Sequence, residues 1–397
     1  MTSSGNRSRL IAVILLAAAL LVVALAARPA FTYLRAAALL LRIEDPHSSG
    51  ILANIHNYSV EELPTQVPTP SGMIRARLYS PRGIASPPGL VIVHGVHHLG
   101  IEEPRLVAFA RAMSSSGIRV LTPELASLAD YHVDTQSIDV IGYSARSMAT
   151  SLGQKVGLLG ISFGGGLSLL AASEPQFEPY VSFVVSVGAH DDLERVAQFF
   201  VTNRIARPDG TTLEMTAHEY GPLILIYSHI EDFFPAADVN TVHDVLQQLL
   251  WEKADESRKL AAQLSPASRR KMELLYEGHV QALAGEMTQS IARHRQDMAP
   301  VSPHGRLGAL HVPVFLLHGS EDNIIPPSEL LWLEQDVPRA DLKAALISPV
   351  ISHVSMNTKP PFSENLRLVR FMAGMLELAD ERQFLQASKL PDQPAEH

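Results

Sequence analysis

Residues 160–164 read Gly-Ile-Ser-Phe-Gly, a Gly-x-Ser-x-Gly pentapeptide whose surroundings suit it to nucleophilic chemistry. The apolar run Val156, Leu158, Leu159 reads as a strand leading into it, and an apolar helical pattern follows. Ser162 therefore falls in a strand-to-helix turn. So tight a turn strains the serine's backbone and presses the residues two before and two after against other backbone, hence Gly160 and Gly164. The hydroxyl sits at a helix N-terminus, where N–H groups and the helix dipole favour developing negative charge. The competing reading is a plain glycine-rich turn.

A serine hydroxyl is a poor nucleophile at neutral pH and needs a base within hydrogen-bond reach, itself oriented by an acid. Candidates for both follow later apolar runs. The stretch from Pro313 to Leu317 reads as a strand that delivers Asp322 just past its end. Leu342 to Ile347 is another short apolar run, followed by Ser352-His353-Val354 in a loop. Upstream, Gly89 to Val93 is a buried-strand pattern ending in His94-Gly95-Val96. Rival acids are Glu321, beside Asp322, and Asp191 and Asp192, which follow the expected strand Val181 to Val187.

The order of turn, Ser162, Asp322, His353 resembles the α/β-hydrolase superfamily, whose triad runs nucleophile, acid, histidine. The resemblance covers roughly residues 59–380 and rests on four separated motifs, each at the end of an expected strand. It implies an α/β fold with a mostly parallel sheet flanked by helices, and a helical cap between the sixth and seventh strands. It implies a serine hydrolase that cleaves a carboxylic ester through an acyl-enzyme. Ser162 would be the nucleophile, His353 the base and Asp322 the acid, since His318-Gly-x-x-Asp322 matches the family pattern. The backbone N–H groups of Phe163 and Val96 would form the oxyanion hole. His94 would pin that turn, and His97 and His98 would line the pocket mouth as substrate-binding residues. An amidase, peptidase or acyltransferase with the same triad is an alternative; so is a non-catalytic binding module.

No cofactor or metal is expected. Gly164-Gly165-Gly166 lacks the G-x-G-x-x-G spacing of a dinucleotide site, and the histidines show no ligand spacing. The chain of 397 residues contains no cysteine, which removes disulfides and thiolate chemistry. A formal charge of −9 argues against a nucleic-acid partner. The expected partner is a small or lipid-like acyl substrate.

The elements around these residues divide the chain. Arg7 and Arg9 precede an uncharged apolar run from Leu10 to Ala27, long for a signal core and barely long enough to span a bilayer. A membrane anchor over residues 1–28 with an exported catalytic domain is expected, with a cleaved signal ending at Ala24-Leu25-Ala26 as the alternative. Residues 29–58 form a linker with a helix at Phe31 to Ile43, placed against the membrane face or its own domain. Residues 59–190 and 306–386 form the core, 191–305 a cap with helical periodicity, and 387–397 a polar tail. Phe199, Phe200, Phe233, Phe234 and Trp251 are candidates for the roof of the pocket.

Overall fold

The computed structural model describes residues 30–351 and 361–385. The apolar run Leu10–Ala27, the expected base His353 and the polar tail lie outside the described residues. Among the described residues no helix is long and apolar enough to cross a membrane.

Ten strands lie along the chain: β1 (Val60–Thr69), β2 (Gly72–Pro81), β3 (Gly89–Val93), β4 (Arg119–Pro123), β5 (Val156–Ile161), β6 (Val181–Val187), β7 (Arg204–Ala206), β8 (Thr212–Glu214), β9 (Val314–Gly319) and β10 (Leu342–Ser348). Eight of them make one sheet in the order β1-β2-β4-β3-β5-β6-β9-β10. β1 and β2 pair antiparallel and β2 joins β4 antiparallel, whereas every pairing from β4 to β10 is parallel. Parallel strands are covered on both faces, which is why β3 is a continuous apolar run and β6 is apolar apart from the buried Ser182 and Ser186.

The alternation along β3 sends Val91 and Val93 to one face, and Leu90 and Ile92 to the other. The first face packs on helices α3 (Thr135–Leu152) and α4 (Phe163–Ser173). The second packs on α1 (residues 30–44), α2 (Pro104–Ser115) and α11 (Phe362–Leu385). Local chemistry sets the helix ends: Glu103 accepts the N–H of Leu106 ahead of Pro104, and Asp134 accepts that of Ser137. Arg35 and Arg42 on α1 are both buried. Arg35 pairs with Asp380 and donates to Ser116 O at 3.2 Å, and Arg42 donates to Ala53 O at 2.7 Å. The helix therefore turns its arginines onto its own domain.

Between β6 and β9, the sixth and seventh strands of the sheet, lies a largely helical insertion. It comprises α5 (Leu193–Thr202), the β7–β8 ribbon, α6 (Tyr220–Ser228), α7 (Val239–Leu250), α8 (Pro266–Tyr276) and α9 (Ala284–Met298), with shorter helical turns between. The ribbon is a departure from an all-helical cap. Val242, Val245, Leu246 and Leu250 of α7 enter a separate apolar cluster, as their helical spacing requires. Ser265 caps α8 ahead of Pro266, but the helix stops at Tyr276 and leaves His279 beyond the turn at Gly278, where φ is +73°. Phe233 and Phe234 are buried inside that cluster, and Phe199 and Phe200 in the main core. Both pairs are core residues rather than roof. Beyond β9, α10 (Ser328–Asp336) leads to β10.

Candidate active site

A parallel sheet delivers the carboxyl ends of its strands to one edge, where α/β proteins place their sites. β3 brings His94 to Val96 there, β5 brings Ser162, β6 the 188–192 turn and β9 Asp322. β10 ends at Ser348, and Ile351 is the last described residue before His353.

Ser162 has φ +56° and ψ −133°, a region an L-residue enters at a cost of about 1–3 kcal/mol. The turn is held by Ser162 N–H donating to Val187 O at 2.7 Å and Gly165 N–H donating to Ser162 O at 2.9 Å. A Cβ on Gly160 would lie 2.2 Å from Gly164 O, and one on Gly164 would lie 2.5 Å from His94 O. Both glycines are thus fixed by backbone on backbone. Ser162 is 4% exposed, and its Oγ has no hydrogen-bond partner among the described residues. A buried unpaired hydroxyl costs about 1–3 kcal/mol, and the Oγ atoms of Ser114, Ser186, Ser290 and Ser328 share that state; the positive φ sets Ser162 apart from them.

The turn after β3 lies directly on the serine. A Cβ on Gly95 would sit 2.9 Å from Ser162 Cβ. His94 is buried, and its Nε2 accepts the N–H of Leu125 at 3.0 Å, so Nδ1 carries the proton and donates to Gly95 O at 2.7 Å. Burial lowers its pKa and keeps it neutral. That is the pinning role expected of His94. The N–H groups of Val96 and Phe163 meet no acceptor among the described residues.

Asp322 is 2% exposed, and its Oδ1 accepts the N–H groups of Ile324 and Ile325, both at 3.0 Å. His318 Nε2 lies 3.5 Å from Oδ2. One strand separates β5 from β9, so the two strand ends lie roughly 10 Å apart. Glu321 is exposed. Asp191 is buried, but its Oδ2 accepts Arg195 Nη2 at 2.8 Å, and Arg195 in turn binds buried Glu329 through Nε at 2.6 Å. The rival acid is tied into an ion-pair network at the base of the insertion.

The insertion reaches this edge through residues far apart in sequence. Tyr220 donates to Val96 O at 3.3 Å, and His218 N–H donates to Asn323 O at 2.8 Å. His97 stacks on His98 at 4.7 Å, and His98 stacks on Trp251 at 5.2 Å. Tyr131 donates to Leu250 O at 3.0 Å beside them. Burial raises the pKa of Tyr220, with Tyr131 adding to the shift, so its phenol stays a donor. The contacts of Tyr220 and Tyr131 were not legible, because nothing local marks a tyrosine whose partner is 124 or 119 positions away. A cavity of about 360 Å³ lies elsewhere, between the Thr69–Ser71 turn and Gln136, Asp139 and Tyr143 of α3, and contains none of these groups.

A model of the alpha/beta hydrolase fold family matches residues 122–346, more than half of the chain. The chain belongs to that family. Solved structures are similar to this α/β-hydrolase at low identity. An esterase of Pyrobaculum calidifontis is 14% identical, with 90% of this chain and 92% of that one covered, at a TM-score of 0.46. A Legionella pneumophila protein classed as a hydrolase is 15% identical over 83% and 92% at 0.50. The acylaminoacyl peptidase of Pyrococcus horikoshii is 11% identical over 82% of this chain but only 42% of its own, at 0.46. No curated protein matches the chain.

Proposed function

We propose that this hydrolase cleaves carboxylic esters through an acyl-enzyme, with Ser162 as nucleophile, His353 as base and Asp322 as acid. One observation carries the proposal: a strained, buried serine whose hydroxyl has no partner among the described residues, beside two backbone N–H groups with no acceptor among them. In this reading His353 takes the proton of Ser162 as Oγ attacks the ester carbonyl, then returns it to the leaving alcohol. Asp322, fixed by the amides of Ile324 and Ile325, holds the imidazole tautomer and offsets its positive charge. The N–H groups of Phe163 and Val96 receive the oxyanion, each worth about 3 kcal/mol in the transition state. A fluorophosphonate probe should label one serine, mapped to Ser162 by peptide sequencing, and p-nitrophenyl esters of graded acyl length should be turned over. A protein that hydrolyses none of them and resists the probe is not a serine esterase.

His97, His98 and Trp251 supply a wall where the insertion meets the oxyanion turn. Trp251→Ala should change the ratio of kcat/KM on long and short acyl esters by about tenfold, the scale on which apolar pockets discriminate. Labelling by the small probe should stay near the wild-type rate. An unchanged ratio would remove the insertion from substrate selection.

The proposal extends to a membrane-held enzyme, from the apolar run Leu10–Ala27, with the catalytic domain exported as short N-terminal anchors with a basic head commonly leave it. Deleting residues 1–28 should move the protein from the membrane to the soluble fraction of a lysate while small-ester turnover per labelled site is retained. A full-length chain already found in the soluble fraction argues against an anchor.

A further inference from the structure

Two buried carboxylates, Asp191 and Glu329, share the guanidinium of Arg195. Glu329 takes Arg195 Nε on Oε1 at 2.6 Å and Nη2 on Oε2 at 2.9 Å, and accepts the N–H groups of Asp191 and Asp192 at 2.8 and 3.0 Å. Asp191 is served less well: Arg195 Nη2 reaches Oδ2, and Oδ1 is buried with no partner among the described residues. Asp192 places another carboxylate oxygen 3.8 Å from Arg195. The cluster is short of positive charge.

His304 faces this deficit. Its Nδ1 lies 3.1 Å from Asp191 Oδ2 and 3.0 Å from Asp336 Oδ2, and only the Asp191 contact has hydrogen-bond geometry. One nitrogen carries at most one proton, so it cannot serve both carboxylates. Donor separations of this size are those of neighbouring ligands about 2.1 Å from one ion. The donors are also held in place. His304 N–H donates to Asp191 O at 2.9 Å, the ring stands edge-on to Trp332 at 6.2 Å, and Gly305 N–H donates to Asp336 Oδ2 at 2.7 Å. Such outer contacts orient metal ligands in known sites.

We propose that Asp191, His304 and Asp336 bind one divalent cation of the zinc class through Asp191 Oδ2, His304 Nδ1 and Asp336 Oδ2. One imidazole with two carboxylates suits zinc better than magnesium or calcium. The chain enters the insertion at Asp191 and leaves it at His304, while Asp336 ends α10 in the core. The ion therefore ties both crossings to each other and to the sheet domain, a structural role separate from Ser162. The other histidine cluster, His229, Glu231 and His294, is less suited. Its rings stack at 3.6 Å and 8°, so their in-plane lone pairs lie in parallel planes and do not converge.

The test uses the untagged full-length chain, stripped with chelator and titrated with zinc. One zinc should bind per chain, and the melting temperature should rise by about 5 °C at a hundredfold excess over Kd. Magnesium should do neither. His304→Gln and Asp336→Asn should each weaken binding at least about tenfold, while His294→Gln binds as wild type. Zinc-edge absorption on the wild type should read one imidazole among oxygen ligands, which tests the donor set without a substitution. No zinc binding, unchanged binding in both variants, or two imidazoles on the ion each overturn the proposal. A melting temperature that ignores zinc also overturns it.

Discussion

Ser162→Ala is expected to abolish fluorophosphonate labelling and to lower ester turnover by about 10⁴-fold or more, as loss of a triad member does. The effect should fall on kcat with little change in KM, because the side chain bonds nothing among the described residues and its loss removes only the covalent step. Alanine must still adopt φ +56°, so the strain stays and the fold should survive with a melting temperature near wild type. Residual turnover above the uncatalysed rate is expected from the amides of Phe163 and Val96. Labelling that persists at another serine, or turnover within tenfold of wild type, would place the nucleophile elsewhere.

The strand-to-helix turn at Ser162 was legible because its signals are local. A tight turn at Ser162 needs glycine two residues away on either side, and the sequence shows both next to an apolar run. The bounds of β3, α2 and β6 follow from Gly, Pro and apolar-rich stretches in the same way. Long-range consequences were not legible. Periodicity says that Phe233 is buried but not against what, so a candidate for the roof belongs to the core of the insertion. The β7–β8 ribbon is two strands of three residues, too short for an alternating pattern to show. The Asp191–Glu329 link spans 138 positions, so a sequence that offers Asp191 as a rival acid carries no sign of the guanidinium that occupies it.

That occupation makes the two acids separable by experiment. Asp322→Asn should lower kcat by roughly 10⁴-fold, because the amide would present a donor to His353 and select the wrong tautomer. Its carbonyl can still accept the amides of Ile324 and Ile325, so folding should persist and the loss should appear in the chemical step. Asp191→Asn should behave differently. The substitution removes a buried charge that Arg195 already shares with Glu329, and it leaves the guanidinium paired at 2.6 Å. In metal-free protein its stability cost should be small, since burial and Glu329 both oppose the Asp191 charge. Turnover per folded molecule, counted by fluorophosphonate titration, should stay within a few-fold of wild type. If Asp191→Asn is the variant that abolishes turnover while Asp322→Asn is spared, the catalytic acid lies after β6 instead, and the Arg195 pairing is a resting arrangement that the acid leaves during the reaction.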